Sequence, residues 1–100
     1  MNGTAMPWPT DITAMDKGRV LEVAFDNGQM IRLTAERLRV ESPSAEVQGH
    51  SPSQKKIVTG KENVAIVAIE PVGNYAIKIV FDDGHDTGLY SWDYLRKLAG

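Results

Sequence analysis

The second half of this chain repeats the first, and that repeat constrains the fold more than any single motif. Residues 20–35 align without a gap onto residues 76–91, pairing Phe25 with Phe81, Asp26 with Asp82, Gly28 with Gly84 and Leu33 with Leu89. One inserted residue later, Leu38-Arg39 falls on Leu95-Arg96. Four identities in sixteen positions carry little weight alone, but the order of local signals repeats with them. Leu21, Val23 and Phe25 alternate with Val20, Glu22 and Ala24, the period of a half-buried strand, and Ile77, Ile79 and Phe81 form a second such face. Asp26-Asn27-Gly28 and Asp82-Asp83-Gly84 are turn sequences, the Asn-Gly pair being expected to place both residues at positive φ. Residues 30–33 and 85–90 return the chain. Thr34 then caps a helix over 35–40 with Arg37 and Arg39 facing solvent, and Ser91 caps one over 92–98 with Leu95 and Leu98 inward. A strand over 64–70 and a turn over 71–74 precede the second unit. Each half therefore reads strand, strand, turn, strand, short helix.

The fold class that follows is α+β: a small, mostly antiparallel sheet domain built from two strand-strand-strand-helix-like halves. One hundred residues suit one domain with one core. Residues 1–10, with Pro7 and Pro9, read as an extended tail that Trp8 pins to the body. Residues 41–63 form a long mid-chain loop rich in Ser, Pro, Gly and Lys, with no sustained helical period. A stretch of that length inside a compact domain is functional or disordered.

Composition removes several classes of chemistry. The chain has no cysteine, which excludes disulfides, thiolate zinc sites, iron–sulfur ligation and cysteine nucleophiles. Eleven basic and thirteen acidic residues are spread along it without a basic block, so no nucleic-acid surface is expected. The longest apolar run, residues 64–69, is too short to cross a bilayer, and residues 1–10 lack the pattern of a secretion signal. The cytoplasm is the expected location. Gly60-Lys61 lacks the rest of a phosphate loop, and no nucleophile elbow surrounds Ser42, Ser44, Ser51 or Ser53.

The densest polar cluster runs from Asp82 to Gly88 around His85. As a metal site it offers one imidazole and nearby carboxylates. Asp83 would share a strand face with His85, whereas the adjacent Asp86 would point away. A second imidazole could come only from His50 in the loop. The competing reading is structural, with one ring nitrogen of His85 donating to a carboxylate or backbone carbonyl. Asp82 and Asp83 lack the ligand spacing of a calcium loop and suit a tight bend.

Two stretches are distinctive: Leu38-Arg39-Val40-Glu41-Ser42-Pro43-Ser44-Ala45-Glu46-Val47-Gln48-Gly49-His50, and Glu70-Pro71-Val72-Gly73-Asn74-Tyr75-Ala76 continuing through Phe81-Asp82-Asp83-Gly84-His85-Asp86-Thr87-Gly88-Leu89-Tyr90-Ser91-Trp92. Together they resemble the γ-butyrobetaine hydroxylase-like N-terminal domain family, from about residue 12 to residue 98. The resemblance implies a domain that occurs alone in bacteria, at the N-terminus of oxygenases, and attached to iron–sulfur carrier ATPases. In the oxygenases it implies a zinc module of three cysteines and one histidine. Those positions fall here on Ser42, Ser44, Val47 and His85, so three of the four ligands are missing. The oxygenase chemistry belongs to a separate, larger domain.

The functional expectation is a non-enzymatic binding or accessory module without a cofactor, acting on another protein, with an iron–sulfur or metabolic partner suggested by the resemblance. Its partner surface is expected to include Tyr90, Trp92 and His50. The alternative is an iron- or zinc-binding protein using His85, with Asp83 and His50 as helpers.

Overall fold

The computed structural model describes residues 7–48 and 57–100. Among the described residues, six strands form two three-stranded antiparallel sheets, each in simple up-and-down order. The first holds β1 (Pro9–Met15), β2 (Val20–Phe25) and β3 (Met30–Thr34), and α1 (Ala35–Val40) follows it. After α2 (Ala45–Gln48), the second holds β4 (Ile66–Val72), β5 (Ala76–Phe81) and β6 (Leu89–Ser91), closed by α3 (Trp92–Ala99). The α+β architecture of two βββα halves is therefore as the repeat implies.

The alternation in β2 and β5 decides which faces meet. Leu21, Val23 and Phe25 of one sheet and Ile77, Ile79 and Phe81 of the other are all buried in one shared core, with Leu38 from α1 and Leu95 from α3. Each such side chain contributes about 1.5–3 kcal/mol on leaving water. The two caps form as expected, with Thr34 Oγ1 accepting from the Arg37 amide and Ser91 Oγ from the Tyr94 amide.

The repeat reaches the level of single hydrogen bonds. The Gly28 amide donates to Phe25 O at 3.1 Å, and the Gly84 amide to Phe81 O at 3.1 Å. The Phe25 and Phe81 amides donate across the turns to Gln29 O and His85 O. Asn27 Oδ1 accepts from the Gln29 amide at 2.9 Å, and Asp83 Oδ1 from the His85 amide at 3.1 Å. Asp26 ties down Trp8 through a reciprocal pair of backbone and carboxylate bonds, and Asp82 does the same for Ala65. Both first strands carry a bulge at the same place, between Pro9 and Asp11 and between Ile66 and Ala68.

Several expectations are corrected. The inserted residue lies in the turn region before β6, not after it. Leu21 faces Leu33 across the first hairpin, and Ile77 faces Tyr90 across the second. Tyr90 thus takes the place of Leu33, and Leu89 is 45% exposed. Asn27 is not at positive φ; Gly28 alone supplies it, at 86°, as the bulge residue of a three-residue loop. Consecutive positive φ values occur instead at Asp16, Lys17 and Gly18, in the loop between β1 and β2. Pro9 and Thr10 belong to β1 rather than to a tail. Pro71 lies inside β4, which the edge position permits because its missing N–H faces away from the sheet. Residues 41–48 are not open loop: they contain α2, and Ser42, Ser44 and Val47 are buried. Arg39 turns inward to Asp83, leaving its side chain only 13% exposed.

The halves are joined at Gly18, whose carbonyl accepts from the Ile66 amide at 2.8 Å. A Cβ at Gly18 would stand 2.3 Å from Ile66 O, and its φ is 83°, so only glycine allows the strands this close.

Candidate functional site

The residues around His85 come together because three elements meet there. The Asp82-Asp83-Gly84 turn delivers His85, the chain leaving α1 delivers Ser42 and Ser44, and α2 follows directly. His85 Nε2 lies 2.8 Å from Ser42 Oγ and 3.5 Å from Ser44 Oγ. Ser42 Oγ also accepts from the Ser44 amide at 3.4 Å and bonds Ser44 Oγ at 3.2 Å. Gln48 Nε2 donates to Ser42 O at 2.9 Å. The described partners of Nε2 are thus the hydroxyls of Ser42 and Ser44. His85 follows the turn outside any strand, so strand alternation does not govern where its ring points.

Asp83 does not face the His85 ring as a co-ligand. Its Oδ1 takes the His85 amide, and its Oδ2 takes Arg39 Nε at 2.8 Å and Lys61 Nζ at 2.7 Å. Burial works to raise its pKa, but the bonds from Lys61, the His85 amide and Arg39 outweigh it and hold the carboxyl well below the usual range. The buried Arg39 Nη1 has no hydrogen-bond partner among the described residues.

Tyr90 is corrected as a surface residue. It is fully buried, and its hydroxyl donates to Leu38 O at 2.6 Å. Burial pushes its phenol pKa upward. The register of β5 and β6 forces this, since Tyr90 stands opposite Ile77 on the core face. Tyr94 makes the matching bond, donating to Glu41 O at 2.6 Å, so two tyrosines satisfy carbonyls at the end of α1. His50 lies outside the described residues.

Trp92 is half-buried and opens onto a groove shared with Pro7, Trp8, Tyr75 and Arg96, of about 240 Å³. Trp8 meets Trp92 edge to face, with ring centroids 6.5 Å apart. Trp92 Nε1 donates to Asn74 O at 3.1 Å, which fixes the indole. Trp8 and Tyr75 remain 48% and 56% exposed. Arg96 bonds Asp93 and Pro7 O while its guanidinium lies 5.3 Å from the centre of the Phe25 ring, coupling the groove to the core. Sequence reasoning missed Tyr75 and Arg96 here. No local pattern marks them, because the groove forms only when the tail, the β4–β5 turn and α3 converge.

A zinc site was implied by the resemblance, and the residues present do not fit one. The cluster presents two hydroxyls, one imidazole nitrogen and, at Val47, a hydrocarbon. Among the described residues no group of three His, Cys, Asp or Glu side chains could hold a metal ion.

Comparison with known proteins agrees with the fold at high similarity. A crystal structure of a protein of unknown function from the DUF971 family of Acidithiobacillus ferrooxidans is 44% identical, with a TM-score of 0.77 and 92% of each chain covered. Two NMR solution structures are 56% and 47% identical, with TM-scores of 0.79 and 0.75. They cover 99% and 95% of this chain and 74% of each of theirs. No curated protein matches. Residues 12–96 match the family described as γ-butyrobetaine hydroxylase-like, N-terminal, and the chain belongs to that family.

Proposed function

We propose that this domain is a non-enzymatic binding module whose partner is another protein, engaged through the groove between Trp8, Tyr75 and Trp92. The observation that carries this reading is the placement of two exposed aromatic side chains and a half-buried indole around one open cleft. Exposed aromatics beside an arginine are the residues that anchor protein interfaces. The chain's own Pro7-Trp8 lines this cleft, with Pro7 O accepting from Arg96 at 3.4 Å. The occupant that suits the same chemistry is an extended, proline-containing segment of the partner. The family resemblance makes an iron–sulfur or metabolic protein the class to which that segment belongs.

The polar groups around His85 support the same reading. The Ser42 hydroxyl beside His85 is fully buried, and Asp83 is saturated by two cations and an amide.

Affinity capture from the native host, quantified by mass spectrometry, tests this with three baits. Wild type and His85→Gln are expected to retain the same protein, and Tyr75→Ala is expected to lose it. Retention by Tyr75→Ala with undiminished yield would remove the groove from the function. Both tryptophans of the chain lie in the groove, so fluorescence of the purified pair should report the same contact directly.

A further inference from the structure

We infer that this domain replaces a structural metal by a hydrogen-bonded clasp of Ser42, Ser44 and His85, and that its fold is independent of metal. The three residues are 0%, 5% and 8% exposed, so they form a built interior site and not a surface cluster. Ser42 Oγ sits at its centre, with one proton and two lone pairs. Among the described residues it bonds the Ser44 amide, Ser44 Oγ and His85 Nε2. In either imidazole tautomer those partners use its full capacity, because the hydroxyl proton goes to one and the lone pairs accept from the other two. Neither Ser42 nor the imidazole nitrogen beside it is left to bind a cation.

The space is also closed. A Cβ on Gly88 would stand 2.5 Å from Ser42 Oγ and 3.1 Å from the Tyr90 ring, so the chain must pass there as glycine. Phe81 packs near the imidazole, with ring centroids 6.1 Å apart. Around this centre, Tyr90, Tyr94 and Gln48 bond the carbonyls of Leu38, Glu41 and Ser42. The segment after α1 is thus fastened to the second hairpin by His85 and Tyr90, to α3 by Tyr94, and onto itself by Gln48. A metal ion would supply the same cross-link, and its free energy of binding would be folding energy. Here the cross-link is made of hydrogen bonds between the chain's own side chains and needs no thiolate, so neither chelation nor thiol oxidation can open it.

The test is thermal unfolding of untagged full-length protein, with its metal content measured. The expected result is less than a tenth of an equivalent of zinc or iron, and one midpoint with or without a strong chelator or added zinc. Stoichiometric metal together with a chelator-dependent fall in midpoint would overturn the inference. Ser42→Ala is expected to lower the midpoint by about 5–10 °C, as loss of a buried hydrogen-bonding centre does in a domain of this size. Should Ser42→Ala not fold, Ser44→Ala, which leaves the 2.8 Å contact in place, is expected to fold with a smaller fall. An unchanged midpoint in Ser42→Ala would also overturn it, since the hydroxyl would then fasten nothing.

Discussion

The β2–β3 and β5–β6 turns share a backbone but differ in what their fifth residue does. In the first, Gln29 is exposed; in the second, His85 occupies the matching position and is buried against Ser42. The same contrast holds two residues earlier. Asn27 and Asp83 both accept from the amide two residues on, yet only Asp83 also gathers Arg39 and Lys61. A duplicated frame has therefore kept one turn plain and given the other the task of fastening the segment after α1. The side chains that differ between the copies are where this domain departs from a minimal βββα unit.

The largest effects should be equal in the two halves. Phe25→Ala and Phe81→Ala are each expected to destabilise by about 3–5 kcal/mol in urea unfolding, since both rings are buried in the same core. A loss confined to one of them would break the equivalence.

The next effect should be unequal. His85→Gln is expected to cost about 1–3 kcal/mol by leaving Ser42 and Ser44 without their ring partner. The mirror exchange, Gln29→His, is expected to stay within about 0.5 kcal/mol at its exposed position. Comparable losses from both would mean that the second turn carries no special bond.

The extent to which the sequence discloses this molecule follows the range of the interactions. Strand faces, caps and the two turns are set by neighbours within a few residues, so alternation, Thr34, Ser91 and the paired glycines announce them. The placement of the inserted residue is not local. The gapless alignment equates Leu89 with Leu33, and only the hairpin register shows that Tyr90 holds the equivalent place. The clasp was half legible: the resemblance put Ser42, Ser44, Val47 and His85 at one site, but serines beside Pro43 read as loop by composition. The groove was the least legible, because Trp8, Tyr75 and Trp92 meet only through the fold.

A smaller symmetric effect sharpens the comparison of backbones. Gly28 and Gly84 have φ of 86° and 90°, and a Cβ at either would touch nothing within 4 Å. Gly28→Ala and Gly84→Ala are thus expected to cost the same, about 1–2 kcal/mol, as pure left-handed strain. A difference larger than their measurement error would show that one turn is held by something besides its own geometry.

The smallest effect is a pH dependence that belongs to one half only. Asp83 has its carboxyl held below its ordinary value of 3.8, burial being outweighed by Lys61, the His85 amide and Arg39. The unfolded chain therefore takes up a proton near that ordinary value, while the folded chain still resists it. Stability from this group is complete above about pH 4 and falls as the pH drops toward the folded value, which lies in stronger acid. Asp83→Asn removes the charge and keeps an oxygen to accept from the His85 amide. At neutral pH this variant should be less stable by about 0.5–1 kcal/mol, as expected for ion pairs near the surface. Urea unfolding followed from pH 7 to pH 3 should show the two proteins converging as the acid limb of the wild type steepens. Asn27→Asp, at the equivalent turn, should leave that limb unchanged, because its side chain is not paired with an arginine or lysine among the described residues. A gap between wild type and Asp83→Asn that stays constant across the whole range would mean that the two cations do not govern this carboxylate, and the electrical difference between the turns would disappear with it.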